Sequence, residues 1–235
     1  MIDTAVVLVG GKGLRLRPLT NERPKSMVFI NGRPLVEWII LWLKKHGIKR
    51  IVLSVDYKKE VLMDHVRDGK ALGVQVTYND HSGCFETGDV FRHILEHQNL
   101  PEVFLALNGD QITDLSVAEV FKEHTRHNPI ATIVTYPTRI PYGILKLHDD
   151  GRVKAFEEKP ILPGISMNTG IYIFNKSILP YLPTRGLIEK ETFAKLAEQG
   201  KLRAYMHRGF FTTISDEKDI AEAERELKST EARLL

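Results

Sequence analysis

The 235-residue chain carries a single cysteine, Cys84. That excludes an internal disulfide and any multi-cysteine metal site. It has no apolar run approaching the roughly 18 residues that a membrane-spanning helix requires. The richest stretch, residues 35–43, contains Glu37 and stops at Lys44. No long basic tract is present: 33 basic and 30 acidic residues are interspersed and leave a net charge of +3, so nucleic acid is not the default partner. No secretory signal is visible, because Ile2-Asp3-Thr4 lacks a basic start and residues 10–17 are too basic for an apolar signal core. Internal repeats, low-complexity segments and Pro/Gly/Ser linkers are missing as well. These absences fit a cytoplasmic protein. The 43% hydrophobic content excludes disorder as the main state and is enough for a substantial core. The length suits one large domain or a domain with an appendage.

Short apolar runs alternate with amphipathic stretches. Residues 4–9 (TAVVLV) read as a buried strand bounded by Gly10-Gly11. Residues 35–46 read as a helix, with Pro34 at its start and Gly47 at its stop. Strands are predicted at 48–55, 74–78, 102–107 and 130–136, and helices at 60–68, 89–97 and 117–127. This rhythm predicts an α/β fold: a mostly parallel sheet with helices on both faces. After Thr138 it changes. Residues 142–148 and 152–156 flank Asp149-Asp150-Gly151, a hairpin signature. Further strands are predicted at 170–174, 204–207 and 210–214, and helices at 188–199 and 216–228. One α/β domain with an antiparallel addition in its second half is the expected architecture.

The first strand runs into Gly10-Gly11-Lys12-Gly13-Leu14-Arg15-Leu16-Arg17-Pro18-Leu19-Thr20. Glycines beyond a strand's carboxyl end let backbone approach a ligand, and their N–H groups can form an anion nest. Lys12, Arg15, Arg17, Arg23 and Lys25, against a single Glu22, suit phosphates. No P-loop is present, since no glycine-lysine pair has the surroundings of G-x-x-x-x-G-K-S/T. The dinucleotide fingerprint G-x-G-x-x-G fails too, because Gly11-x-Gly13 is followed by Leu16 at the third glycine position.

VLVGGKGLRLRPLT followed by Arg23-Pro24-Lys25 resembles the signature G-G-x-G-T-R-L-x-P-L-T…P-K of sugar-1-phosphate nucleotidyltransferases. The resemblance covers nearly the whole chain. VFINGRPLV (28–36), IVLSVDYKKEV (51–61), LALNGD (105–110), Tyr142-Gly143, Glu158-Lys159-Pro160 and Asn168-Thr169-Gly170 match further family elements in order. The segment 27–61 looks most like the branch that transfers guanylyl groups to mannose- or heptose-1-phosphate.

The resemblance implies a single Rossmann-like domain over 1–235. Its nucleotide-binding half would be 1–136, its sugar-phosphate-binding half 137–215 and its C-terminal helix 216–235. The implied substrates are a nucleoside triphosphate, GTP by first choice, and a sugar 1-phosphate, with Mg²⁺ as cofactor. Nucleic acid and membrane are not expected partners, and a homo-oligomer is compatible with the sequence. A sugar-phosphate oxygen attacks the α-phosphate and pyrophosphate leaves. The nucleophile is already an anion, so the protein must align two polyanions and neutralise charge. Arg15 is expected on the β/γ-phosphates, where bidentate donation suits. Lys25 is expected on the α-phosphate, and Asp110 is the expected catalytic metal ligand. Val9, Gly10, Gly11, Gly13, Arg15, Thr87, Gly88, Asn108 and Gly109 are the nucleotide-binding candidates. Gly143, Glu158, Lys159 and Asn168 are the sugar-phosphate candidates.

The chain departs from the family pattern in three places. Leu14 replaces the threonine of G-T-R. GCFETGD (83–89) stands where a base-reading P-L-G-T-x-G loop is expected; Thr87-Gly88 survive, while Glu86 and Asp89 are new. Thr213 occupies the aspartate position of W-x-D-I/T-G-T-P, the second metal site, with Asp216 three residues on as a weaker candidate. These departures support an alternative: a catalytically weak or inactive transferase-like domain that binds nucleotide sugars as a regulatory or subunit module. The hexapeptide-repeat extension of some relatives is not seen, so acyl transfer and trimerisation through it are not expected. His93 and His97 have the i,i+4 spacing of a helical metal pair but no evident third ligand, and Cys84 has no partner for nucleophilic work.

Overall fold

The computed structural model describes residues 2–234, with side chains through residue 228. β1 (Thr4–Leu8) is β-branched and buried. Two single 3-10 turns follow, Leu14–Leu16 and Lys25–Met27. They lead into a small hairpin, β2 (Phe29–Ile30) and β3 (Arg33–Pro34). Asn31 and Gly32 form its turn at φ 47° and 74°, the left-handed pair that Asn-Gly tolerates best. The sequence reading missed this hairpin although the Asn-Gly signal was present.

The remaining elements are α1 (Leu35–Lys45), β4 (Arg50–Val55), α2 (Lys59–Val66), β5 (Gln75–Asp80), α3 (Thr87–His97) and β6 (Val103–Asn108). Next come β7 (Gln111–Thr113), α4 (Val117–His127), β8 (Ala131–Arg139), β9 (Ile144–Leu147), β10 (Val153–Glu157) and β11 (Ile161–Asn175). A π-helical turn, Glu189–Phe193, leads into α5 (Ala194–Glu198), so the predicted helix 188–199 is split. β12 (Leu202–Met206), β13 (Phe211–Thr213) and α6 (Glu217–Leu234) complete the chain.

Seven strands form one sheet in the order β12-β8-β11-β6-β1-β4-β5. Only β11 runs antiparallel to its neighbours, β6 and β8. The predicted mostly parallel α/β fold is therefore observed. Alternation along β1 divides the core. Ala5 and Val7 pack with α1, α2, α4 and α6 on one face, and Val6 packs with α3 and α5 on the other. Phe91 of α3 sits edge-on to Tyr172 and Phe174 of β11. Truncating a side chain buried in this way costs about 3–5 kcal/mol.

β11 is 15 residues long, and the strand predicted at 170–174 is only its last part. Its pairing with β8 shifts register twice, and Gly170 turns at φ 77°. The predicted hairpin is present as β9 and β10, with Gly151 at φ 83° in its turn. This arm leaves Leu145, Leu147, Val153 and Phe156 exposed. The boundary expected at 136/137 falls inside β8, which continues to Arg139 because the start of β11 pairs with it.

Candidate active site

β1 has β4 on one side and β6 on the other, so the strand order reverses there. Open α/β sheets bind ligands beyond the strand ends at such a switch point. A cleft of about 660 Å³ opens there, lined by the ends of β1, β4, β5 and β6 and by the glycine loop.

The loop folds back on itself. Gly13 is left-handed (φ 59°, ψ 44°), and Thr20 Oγ1 donates to its carbonyl at 2.8 Å. A Cβ on Gly13 would lie 2.9 Å from Thr20 Cγ2 and 3.1 Å from Lys25 Cβ. The Lys25 N–H donates to Gly11 O at 3.1 Å and carries the lysine under the loop. On the next strand, the Gly109 N–H donates to Leu8 O at 2.8 Å, and a Cβ at that glycine would meet the same oxygen at 2.6 Å. This close approach sets Asp110 beside Lys25, with Nζ to Oδ2 at 2.7 Å. Lys12 and Arg15 reach the cleft with no polar partner among the described residues. Val9, Gly10, Gly11, Gly13, Arg15, Lys25, Asn108, Gly109 and Asp110 therefore share one cleft. Leu14 lies on its rim, 60% exposed.

Asp56, His81, Cys84, Phe85, Glu86 and Thr87 form the opposite wall. The sequence reading missed Asp56 and His81. Each directly follows a strand, β4 or β5, and that position was the available signal. Glu86 and Asp89 explain each other: they form a reciprocal capping box at the start of α3. Asp89 accepts from the Phe85 N–H at 2.7 Å and the Glu86 N–H at 3.0 Å. Gly88 is not on the wall. Its N–H donates to Gly186 O at 2.9 Å, and a Cβ there would strike that oxygen and Pro183, so its smallness serves packing. Thr87 does line the cleft, and its hydroxyl donates to Glu189 Oε2 at 3.0 Å. Burial pushes the Cys84 thiol pKa up, away from nucleophilic use.

The sugar-phosphate candidates lie apart from this lining. Asn168 Nδ2 donates to Tyr172 Oη at 2.9 Å, and its Oδ1 accepts from the Gly170 N–H at 2.8 Å. Gln111 Nε2 donates to Thr169 O, tying this turn to the residue after Asp110. Gly143 and Glu158 are neighbours on the β8–β11 arm: a Cβ on Gly143 would lie 2.8 Å from Glu158 Oε2. Lys159 is exposed at φ 45°, and its carbonyl accepts from Arg139 Nη1 at 3.4 Å. Asn168 is thus linked to the Asp110 side, whereas Gly143, Glu158 and Lys159 stand on the arm outside the cleft wall.

Thr213 stands at the sequence position where the motif expects a second metal aspartate. Thr213 pairs with Gln111 in the β7–β13 ladder, and the Ile214 N–H donates to Asp110 O at 2.8 Å. Asp216 is engaged at a helix start. It caps α6, its Oδ1 accepting from the Asp219 N–H at 3.0 Å, while Asp219 Oδ2 accepts from the Ser215 N–H at 2.7 Å. No group of three or more His, Cys, Asp or Glu that could hold a metal occurs among the described residues. Asp110 stands alone, with Lys25 on Oδ2 and no donor on Oδ1 among those residues. A carboxylate oxygen without a donor in an open cleft fits Mg²⁺, which usually takes one or two carboxylates and completes its shell with substrate phosphates and water. His93 and His97 stack on each other, centroids 4.2 Å apart, and His97 Nδ1 bonds the His93 carbonyl at 2.8 Å.

The sequence profile of the nucleotidyl transferase family matches residues 4–228. The chain belongs to that family. A mannose-1-phosphate guanyltransferase of Yarrowia lipolytica is 34% identical over 224 residues, 91% of this chain and 61% of that protein. A UTP–glucose-1-phosphate uridylyltransferase of Synechocystis is 31% identical over 216 residues, 83% of this chain and 55% of that one. The chain therefore spans about 55–61% of the length of these two relatives. The crystal structure of HddC from Yersinia pseudotuberculosis superposes with a TM-score of 0.76 at 24% identity, covering 96% of this chain and all of that one, and shares the fold. No helix among the described residues is long and apolar enough to cross a membrane.

Proposed function

We propose that this chain transfers a nucleotidyl group, guanylyl by first choice, from a nucleoside triphosphate to a mannose- or heptose-like sugar 1-phosphate. The observation that carries this reading is the meeting of Lys25 and Asp110 under the glycine loop, with Arg15 and Lys12 unpaired beside them. A pure phosphate binder needs cations; the set here also offers one carboxylate at the point where two polyanions would meet. The sugar-phosphate oxygen attacks the α-phosphorus as an anion, and the bond to pyrophosphate breaks, so no protein base is required. In this reading Lys25 neutralises charge growing on the α-phosphate, and Arg15 holds the β/γ-phosphates. Residues 10–13 line the same cleft, and their backbone N–H groups would serve the same anions. Asp110 would hold Mg²⁺, which supplies charge neutralisation between the phosphates. Asn168, Glu158 and Lys159 would meet the sugar phosphate, with Gly143 leaving room for it. A cytoplasmic location accords with the lone cysteine and with a nucleoside triphosphate as substrate.

Guanine and a mannose-like sugar are preferred because residues 27–61 resemble that branch and the Yarrowia relative carries that name. The Synechocystis relative is named for UTP and glucose 1-phosphate, so the panel that tests the reading must include both pairs. Pyrophosphate release is measured for GTP, UTP, dTTP, ATP and CTP with mannose, glucose and heptose 1-phosphates. Release with one or two pairs supports the proposal; tight nucleotide binding without release from any pair favours a second reading. That reading is a nucleotide-sugar-binding module with little or no turnover. It rests on Thr213 at the second metal position, with Asp216 engaged as a helix cap.

A further inference from the structure

Asp56, Tyr57 and Lys58 follow β4, and all three meet the glycine loop or the chain returning from it. A Cβ built on Gly10 would lie 2.9 Å from Asp56 Cβ. Lys58 Nζ donates to Glu22 Oε2 at 3.4 Å, but both groups are open to solvent, so that pair contributes little. The Tyr57 hydroxyl lies 3.2 Å from Thr20 O and 3.1 Å from Asn21 O. Its single proton is shared between the two carbonyls as a three-centre bond. The chain turns sharply behind it. Lys58 is left-handed (φ 49°, ψ 36°), a conformation that lysine adopts only where its surroundings impose it, and α2 starts at the next residue.

Thr20 is fully buried, so its carbonyl requires a partner, and Tyr57 supplies one. The side chain of the same threonine holds the loop. Thr20 Oγ1 donates to Gly13 O at 2.8 Å, and that oxygen also accepts from the Leu16 N–H at 2.9 Å. Gly13 opens the 3-10 turn that carries Arg15, while Leu16, fully buried, anchors the turn to the core. The Asn21 N–H donates to Pro18 O at 3.0 Å and tightens the return. Residues 13–21 are thus tied mainly to one another. Among the described residues, the hydrogen bonds that reach them from the sheet side come from Tyr57.

We infer that Tyr57 is a positioning residue for the triphosphate. Its hydroxyl clamps Thr20 to the end of β4, Thr20 fixes the Gly13 carbonyl, and the turn beyond Gly13 then presents Arg15 to the β/γ-phosphates. Without the hydroxyl a buried carbonyl loses its donor, and the loop shifts to reach water. Arg15 moves with it. This inference rests on the nucleotidyl-transfer reading for the ligand being a nucleoside triphosphate.

The test is equilibrium binding by calorimetry at fixed Mg²⁺ without sugar phosphate, using GTP with GMP and UTP with UMP. Tyr57→Phe keeps the ring and removes only the hydroxyl, and circular dichroism checks that it is folded. Its Kd for the triphosphate is expected to rise about two- to tenfold, the size of one lost hydrogen bond. The Kd for the monophosphate, which lacks the groups Arg15 holds, should rise less, so the triphosphate-to-monophosphate affinity ratio falls. A general loosening of the protein would move both alike. Arg15→Met completes a double-mutant cycle: if Tyr57 acts through Arg15, Tyr57→Phe should change triphosphate binding less than twofold once Arg15 is gone. An unchanged ratio, or effects that add, overturns the role of Tyr57. The expected ratio and cycle without pyrophosphate release from any substrate pair overturn the transferase reading and leave Tyr57 standing. Binding of no nucleotide by the wild type overturns both.

Discussion

Lys25 Nζ and Asp110 Oδ2, 85 positions apart in the chain, are joined by a 2.7 Å ion pair on the floor of the cleft. Neither group is placed by its sequence neighbours alone. Lys25 rides on a turn whose N–H is held by Gly11 O, and Asp110 follows a strand end pressed onto β1 through Gly109. The side chains are 16% and 28% exposed, so solvent screens the pair only partly. A cation and an anion held together before substrate arrives are preorganised charge, the arrangement that stabilises a transition state without reorganisation when the reaction occurs.

Lys25→Ala is therefore expected to leave nucleotide binding within about tenfold but to lower turnover by on the order of 10²-fold or more. Calorimetry and pyrophosphate release on the same purified variant separate the two. Unchanged turnover would remove Lys25 from the mechanism.

Lys159 stands on the β8–β11 arm, outside the wall that lines the cleft. Lys159→Ala is expected to raise the KM for sugar 1-phosphate far more than the KM for nucleotide. Steady-state kinetics with each substrate varied in turn decides it, and equal shifts would assign the lysine elsewhere.

The sheet and most helices were legible because their apolar periodicity is local. The glycine loop was legible because glycine spacing states a backbone requirement directly. What escaped depends on contacts between distant segments. β11 reads as a strand only at 170–174; its first part is exposed and is held by pairing with β8, which no pattern in 161–169 announces. Glu86 and Asp89 read as departures from a base-reading motif, yet the pair is a helix cap recognisable only once α3 is known to start at Thr87. The helix-capping bond of Asp216 escaped for the same reason, since it is recognisable only once α6 is known to start at Glu217.

The capping box gives a stability test independent of catalysis. Glu86→Ala and Asp89→Ala are each expected to cost about 0.5–2 kcal/mol in urea unfolding. The reciprocal bonds fail together, so the double variant should lose less than the sum. Strict additivity would mean that the two carboxylates act separately.

His124 lies buried between Thr132 Oγ1, 2.8 Å from Nδ1, and Asn175 Oδ1, 3.2 Å from Nε2. Burial lowers its pKa below the ordinary 6.5. The unfolded chain then takes up a proton as pH falls through about 6.5, while the folded chain does so only at lower pH. Its contribution to stability is complete above the unfolded value and declines as the pH drops toward the folded one. Urea midpoints at pH 7.5 and 5.5 should differ less in His124→Gln than in the wild type, whatever its baseline stability. An equal difference would assign the acid sensitivity to other groups.

The metal site offers the sharpest separation between the active and inactive readings. Asp110 is the carboxylate paired with Lys25 beside the proposed phosphate site, and Thr213 on the facing strand brings no charge. The free protein should accordingly bind Mg²⁺ weakly, with most of the ion arriving on the nucleotide, whose phosphates supply the missing oxygens. Asp110→Asn should abolish turnover. Asp216→Asn should leave turnover nearly unchanged, because asparagine caps a helix as well as aspartate does and the side chain is engaged with Asp219. Thr213→Asp should lower the Mg²⁺ concentration needed for half-maximal rate, because β13 already holds that position against Gln111. Titrating Mg²⁺ against rate in the three variants, with direct ion binding measured alongside, tests all of this. A severe loss in Asp216→Asn together with an active Asp110→Asn would move the ion to the other aspartate. A Thr213→Asp variant that gains turnover from an inert parent would show that this one substitution is what silences the site.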